Sequence, residues 1–202
     1  MKSWSLYFVI ISLILISWIY FNQAKKYQPD GISIDKKKYP VSGIDLSHYS
    51  GNVDFESLQK DEIDFVYLKA TEGIDHKDKN FEENYNQAKK YNVRIGFYHF
   101  YRFDFSPLDQ AKFYLSIIEE KKYQMPLVID VEEWGNEKTI SREEVRKEIA
   151  LFIAYVEAQT KCKMIVYTNL SGYTSYVDGL GNDIWLCSFR KGEKLDGNWL
   201  FW

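Results

Sequence analysis

Residues 126–132 read PLVIDVE, an apolar run that carries two acidic side chains at its end. Its composition and length are those of a buried strand. Because side chains alternate along a strand, Asp130 and Glu132 are predicted to project from one face, about 6.6 Å apart along the chain. Carboxylates this close in a half-buried site do not ionise together easily, so one is predicted to have a raised pKa and to hold a proton near neutral pH. A salt bridge or a helix cap is the structural alternative, but a charge at the tip of an apolar strand has no packing role.

Short apolar runs alternate with amphipathic segments on both sides of this stretch. The other strand-like runs are residues 43–46, 65–70, 95–101, 164–168, 184–189 and 199–202. Helices are predicted over residues 80–91, after Ser106-Pro107, and after Ser141, which forms a capping-box pattern with Glu144. This order predicts an α/β fold of parallel strands joined by crossovers.

Two architectures have this order of elements: an open doubly wound sheet and a (β/α) barrel. The glycine-rich motifs of nucleotide-binding sheets are absent from the sequence. Polar side chains recur at the ends of the predicted strands, where barrel enzymes carry their chemistry. They are Asp45, His48, Glu72, His99, Arg102, Asp130, Glu132, Asn169 and Arg190. This pattern favours a barrel.

Asp45 follows the first predicted strand, either as a site carboxylate or as a turn residue. Lys69 lies inside a predicted strand, so an Asp or Glu partner within the barrel is expected. His48 and His99 could join Asp45 as metal ligands in a deacetylase or phosphohydrolase. The two histidines have no third ligand at the spacing typical of a metal-binding motif, so we expect hydrogen-bonding histidines, no metal site, and the metal-dependent enzyme as the less favoured alternative.

Composition restricts the class of partner. The 202 residues carry a formal charge of -3, which does not favour nucleic-acid binding. Aromatic residues make up 17% of the chain, with 16 Tyr and 6 Trp. Flat rings stack on the apolar faces of sugars, although most of these residues are expected to fill the core. Two cysteines exclude a disulfide-rich framework.

The first 40 residues are predicted to be a membrane-targeting segment and a spacer rather than part of the folded domain. Residues 6–21 carry no charge and are predicted to be a transmembrane signal anchor after a short tail, residues 1–5. A cleaved signal peptide is the alternative. Residues 22–40 are polar and predicted to be a linker, and residues 41–202 the catalytic domain.

Five segments together resemble the glycoside hydrolase family 25 lysozymes, or Chalaropsis-type muramidases. They are GIDLSHYSGNVDF (43–55), VYLKATEGIDHKDKNFEENYNQAKKYNVRIGFYHFYRF (66–103), PLVIDVEEWG (126–135), IVYTN (165–169) and DIWLCSF (183–189). The resemblance implies a flattened (β/α) barrel and hydrolysis of the β-1,4 bond between N-acetylmuramic acid and N-acetylglucosamine in peptidoglycan, with no cofactor. The implied substrate places the domain outside the cytoplasm, and we expect a monomer.

The same resemblance implies roles for individual residues. Glu132 corresponds to the general acid, and Asp130 to a carboxylate that assists the substrate N-acetyl group or stabilises the charged transition state. Asp45 lines the cleft. Tyr98, Tyr167, Trp185 and Lys69 are placed with the substrate-binding residues. Whether the substrate's acetamido group or an enzyme carboxylate attacks the anomeric carbon stays open.

The sequence departs from the family at its C-terminus. After a strand like WLFW (199–202), the family continues with Gln-Tyr and a strand that carries a further Asp at the rim of the site. We therefore expect a barrel that is incomplete at the C-terminus. A catalytically impaired glycan-binding protein on a truncated barrel is the alternative function.

Overall fold

The structure is a computed structural model that describes residues 37, 39–136, 140–188 and 199–202. Residues Pro40–Trp202 form one compact unit. Its described strands are β1 (Gly43–Leu46), β2 (Phe65–Glu72), β3 (His76–Lys77), β4 (Arg94–Phe100), β5 (Val128–Asp130), β6 (Ile165–Asn169) and β7 (Asp183–Cys187). Each predicted strand before residue 190 is therefore confirmed, with ends that shift by up to two residues. The run at 199–202 contributes a single bridge, between Phe201 and Trp185.

Four longer helices lie between the strands: α1 (Phe55–Lys60), α2 (Phe81–Lys90), α3 (Pro107–Ile118) and α4 (Arg142–Thr160). The predicted caps are present. The Ser106 hydroxyl accepts the N–H of Asp109, and that of Ser141 accepts the N–H of Glu144. Sequence patterns did not indicate α1, which is only six residues long, or the π-helical turn Tyr173–Val177.

The strands form one sheet in the order β1-β2-β4-β5-β6-β7, and each neighbouring pair is parallel. β3 pairs antiparallel with β2. In a flat sheet β2 and β7 would lie roughly 19 Å apart, four strand spacings. Instead, the ring centroids of Tyr67 on β2 and Trp185 on β7 are 5.1 Å apart. The sheet is thus curled into a parallel half-barrel, which confirms the predicted α/β barrel-type fold.

Alternation along each strand creates two apolar layers. The larger layer joins the outer face of the sheet to the helices and contains Phe97, Ile129 and Phe152. The smaller layer fills the concave face and contains Phe65, Tyr67, Tyr98, Val128 and Ile165. Side chains on the concave face therefore point towards one shared interior, whichever strand carries them.

Gly96 shows how tightly the concave layer packs. A Cβ atom at this position would come within 2.9 Å of Met125 and would overlap the ring of Tyr67. The absence of a side chain on β4 lets the Tyr67 ring lie flat against the strand. From there its hydroxyl donates a hydrogen bond to the carbonyl of Pro126 at 3.0 Å.

Within the described residues, no helix combines the length and the apolar character needed to cross a membrane. The anchor predicted over residues 6–21 lies outside that part of the chain, as does nearly all of the linker predicted over residues 22–40. Both stay predictions.

Candidate active site

A pocket opens at the carboxyl ends of the parallel strands, on the concave face of the curl. The residues that line it are Asp45, Ser47, Tyr49, Lys69, Tyr98, Phe100, Val128, Asp130, Glu132, Trp134, Tyr167 and Trp185. All seven residues predicted to have a catalytic or substrate-binding role are among them. They come from β1, β2, β4, β5, β6 and β7 and from the segment after β5, so the curl of the sheet is what brings them together.

Asp130 is the last residue of β5, and strand alternation directs it inward. Val128 precedes it in the concave layer, whereas Ile129 and Val131 pack in the outer layer. The Asp130 side chain is buried, and its Oδ1 atom has no hydrogen-bond partner among the described residues. Glu132 follows the strand, is half-buried, and is hydrogen-bonded by the Tyr167 hydroxyl. The pair therefore has one deep and one more accessible carboxyl group.

The electrostatics of the pocket favour protonated carboxyl groups. Burial raises the pKa of Asp130 well above its usual range, and the charge of Glu132 adds to this effect. The pKa of Glu132 is raised mainly by burial, against the hydrogen bond from Tyr167. Asp45 is open to solvent on one side, but the pocket walls displace part of its water and raise its pKa as well. These directions agree with the raised pKa that the sequence predicted for the Asp130–Glu132 pair.

Lys69 is the cation of this pocket. Its side chain is buried on β2, and Nζ lies 2.7 Å from Glu72 Oε2 and 4.9 Å from the centre of the Phe100 ring. The carboxylate partner expected for a lysine inside the barrel is therefore Glu72, three residues along the same chain. The charge of Lys69 also lowers the pKa values of Asp130 and Glu132, in opposition to burial.

Three aromatic residues predicted near the groove form much of its wall. Tyr98 is buried beside the carboxylates of Asp45 and Asp130 and is hydrogen-bonded to Ser47. Tyr167 on β6 contacts both Glu132 and the Cys187 thiol through its hydroxyl. The Trp185 ring stands nearly perpendicular to Tyr167, with centroids 5.1 Å apart.

Sequence reasoning missed two lining residues that stand out by exposure. Tyr49 is 79% exposed and Trp134 is 73% exposed. Both lie just beyond a strand, Tyr49 after β1 and Trp134 after β5, and this placement was the only available signal. Their exposure depends on how the loops fold, which the local sequence does not reveal.

The histidines considered as metal ligands do not enter the pocket. His99 points to the outer layer, where it hydrogen-bonds Thr71 at 2.8 Å and Gln110 at 3.1 Å and stacks on Phe152. Burial lowers the pKa of His99 to about 3, so its ring is neutral. His48 pairs with Asp78 at 2.6 Å. The Asp45, His48 and His99 set is therefore not assembled, and the residues that the structure describes contain no group of three His, Cys, Asp or Glu arranged to hold a metal.

Three other polar strand ends also lie outside the pocket lining, namely Glu72, Arg102 and Asn169. Asn169 accepts the N–H of Gly172 at 2.8 Å and so caps the short turn after β6. Arg102 lies 3.5 Å from Glu72. Arg190 belongs to the residues that the structure does not describe.

The fold and this pocket define a curled parallel-sheet scaffold with a carboxyl-rich pocket at its strand ends, and comparison with known proteins gives the family. The profile of the Glycosyl hydrolases family 25 matches residues 44–202, so the chain belongs to that family. Among solved structures, a family 25 glycosyl hydrolase from Bacillus anthracis is 36% identical, with a TM-score of 0.69 over 73% of this chain and 70% of that one.

Curated relatives are longer than this chain. Lysozyme M1 of Streptomyces globisporus is 31% identical over 142 residues, or 67% of this chain and 48% of that protein. The uncharacterized protein YegX of Escherichia coli K12 is 28% identical over 173 residues, or 81% of this chain and 62% of that protein. The matched region thus spans about half to three fifths of these relatives.

Proposed function

We propose that this chain is a peptidoglycan hydrolase that cleaves the β-1,4 bond between N-acetylmuramic acid and N-acetylglucosamine. The main support for the proposal is that one pocket at the strand ends is lined by aromatic residues together with Asp45, Asp130 and Glu132. Glycoside hydrolysis needs a protonated carboxyl group at the leaving oxygen and a second carboxyl group near the developing positive charge. Membership of family 25 and the likeness to a lysozyme support the substrate class.

In this proposal Glu132 is the general acid. It is the more accessible member of the buried pair, and its raised pKa lets it hold a proton. Glu132 gives this proton to the glycosidic oxygen as the bond to the anomeric carbon breaks, and the leaving sugar departs as an alcohol. Water finally adds its hydroxyl group to the anomeric carbon, and its proton restores Glu132.

The other two carboxyl groups take different parts because their surroundings differ. Burial favours the neutral form of Asp130, which suits a hydrogen bond to the substrate N-acetyl group. Asp45 is better solvated on its open side and can face the developing positive charge as a carboxylate. The Tyr167 hydroxyl holds Glu132 in place through its hydrogen bond.

The proposal is tested by digestion of purified peptidoglycan with the full chain. We expect release of new reducing ends that mass spectrometry identifies as N-acetylmuramic acid. Glu132→Gln removes the proton donor and should lower kcat by at least about 100-fold. Glu119→Gln makes the same change at an exposed site outside the pocket and should leave the rate unaltered.

Two outcomes would contradict the proposal. An unchanged rate in Glu132→Gln would exclude Glu132 as the acid. Binding of peptidoglycan with no new reducing ends would favour the glycan-binding alternative.

The proposed substrate also requires the domain to face the cell wall, which agrees with the anchor predicted over residues 6–21.

A further inference from the structure

The two most exposed large apolar side chains in the described part of the chain are Tyr49 and Trp134, and both line the same pocket. The other exposed large apolar residues there are 36–53% exposed, against 79% and 73% for these two. Rings this exposed contribute little to the core. Their place beside a pocket of carboxylates calls for a different explanation.

Hydrogen bonds hold the residues on both sides of Trp134 in place. Glu133 accepts hydrogen bonds from Ser171 at 3.1 Å and Tyr176 at 3.0 Å. Asn136 donates to the carbonyls of Glu132 and Tyr101 and accepts the N–H of Phe103, all within 3.0 Å. Gly135 turns the backbone with a φ of +75°, which favours glycine. The neighbours are fixed while the ring faces solvent.

The turn that carries Tyr49 is fixed in a similar way. The carboxylate of Asp78, which is buried, binds His48 through the backbone N–H at 3.0 Å and through Nδ1 at 2.6 Å. The His48 ring packs against the Tyr49 ring, with centroids 3.9 Å apart. Reciprocal capping between Ser47 and Ser50 closes the turn. Tyr49 is therefore also presented by a rigid support.

Tyr49 follows β1 and Trp134 follows β5, and β2 and β4 lie between these two strands in the sheet. Asp130 and Glu132 lie within the same pocket. Because the two rings follow strands that are not neighbours in the sheet, each ring has its own part of the pocket edge on which to contact a sugar. Flat aromatic faces suit the apolar faces of pyranose rings, and rigid side chains lose little entropy on binding.

We propose that Tyr49 and Trp134 are two stacking platforms that hold sugars on opposite sides of the bond at the carboxylates, so that the site recognises an extended glycan strand rather than a short fragment. The inference rests on the proposed function for its carbohydrate chemistry. It adds two binding residues and a requirement for substrate length.

The experiment measures binding in the full-length Glu132→Gln background, so that the glycan is not consumed. The probes are peptide-free glycan strands and the disaccharide of N-acetylglucosamine and N-acetylmuramic acid. Trp134→Ala and Tyr49→Ala should each weaken strand binding about tenfold, the loss expected for one ring face of buried apolar area. Disaccharide binding should change less, because in this proposal a disaccharide occupies too few sugar positions to contact both rings.

Matched variants separate stacking from general damage. Trp134→Phe keeps a flat ring and should retain most of the affinity, whereas Trp134→Leu keeps apolar character without a flat face and should not. Leu151→Ala, at an exposed apolar site on α4, should bind as the background does. Because the rings are exposed, the melting temperatures of Trp134→Ala and Tyr49→Ala should match that of the background.

Strand binding that is unaffected by both alanine variants would overturn the inference, as would equal losses for strand and disaccharide. The two proposals fail separately. Ring-dependent strand binding without any hydrolysis by the wild-type chain would leave the platforms standing and remove the hydrolase. Hydrolysis by the wild-type chain, together with strand binding that does not depend on the two rings, would support the hydrolase and remove the platforms.

Discussion

At the scale of single residues, Asp130 is a buried acid whose ionisation opposes folding. Its pKa in the folded chain is raised above the value of about 3.9 expected when unfolded. Between these two values the folded state binds more protons than the unfolded state, so stability falls as pH rises through this interval. The structure thus maintains an unfavourable group at the site where chemistry is proposed.

Asp130→Asn should therefore stabilise the chain at neutral pH and inactivate it. We expect a gain of about 1 kcal/mol or more in the free energy of unfolding at pH 7, because the amide needs no proton to stay neutral. The gain should vanish below about pH 4, where both states are protonated. Urea unfolding measured across this pH range provides the test, with the exposed Asp75→Asn as the control. A lower stability at pH 7, or a gain that does not depend on pH, would contradict this assignment.

The sequence predicted towards which face of the strand the Asp130 side chain points, but not which groups surround it. The alternation of side chains along residues 126–132 is a local property. The inward orientation of the Asp130 side chain could therefore be predicted from the sequence. The contact between Tyr167 and Glu132 depends on the register of β5 against β6, which pairs Asp130 with Tyr167. Register across distant strands is not contained in either segment alone.

At the scale of elements, the segment that follows β5 positions the proposed acid. Asn136 holds the Glu132 carbonyl at 2.8 Å and the Tyr101 carbonyl at 3.0 Å, and accepts the Phe103 N–H at 2.9 Å. One side chain thereby links the end of β5 to the end of β4. The helix caps at Ser106 and Ser141 could be predicted because a cap is a local pattern, whereas this link joins residues 33 to 35 positions apart.

Asn136→Ala should lower kcat by about tenfold and cost about 2 kcal/mol of stability, because three hydrogen bonds are lost around a partly buried loop. Its KM should change less than its kcat, since the displaced group is the proton donor. Kinetics on peptidoglycan and urea unfolding would measure both effects. Asn136→Asp keeps the acceptor for Phe103 but not the donor, and should be similarly impaired. A stability loss with no change in kcat would mean that Asn136 does not position Glu132.

At the scale of the whole molecule, the curl of the sheet creates the site. Alternating strands and helices predicted the α/β barrel type, and the polar strand tips predicted where a pocket would lie. The contact between Tyr67 and Trp185 closes the concave face and brings β2 within reach of β7. The sequence could not predict which loops would leave Tyr49 and Trp134 exposed, because exposure depends on long-range ties such as that between His48 and Asp78.

The central claim is that carboxyl groups from β1 and the end of β5 share one pocket and retain a proton there. The most direct measurement is a carboxyl ¹³C NMR titration of the full chain with labelled Asp and Glu, assigned with Asp130→Asn and Glu132→Gln. We predict that Asp130 and Glu132 ionise above the range of exposed carboxyl groups, about pH 4, and that replacing one shifts the titration of the other. Titration of Asp45, Asp130 and Glu132 all near pH 4, each independent of the others, would contradict the account.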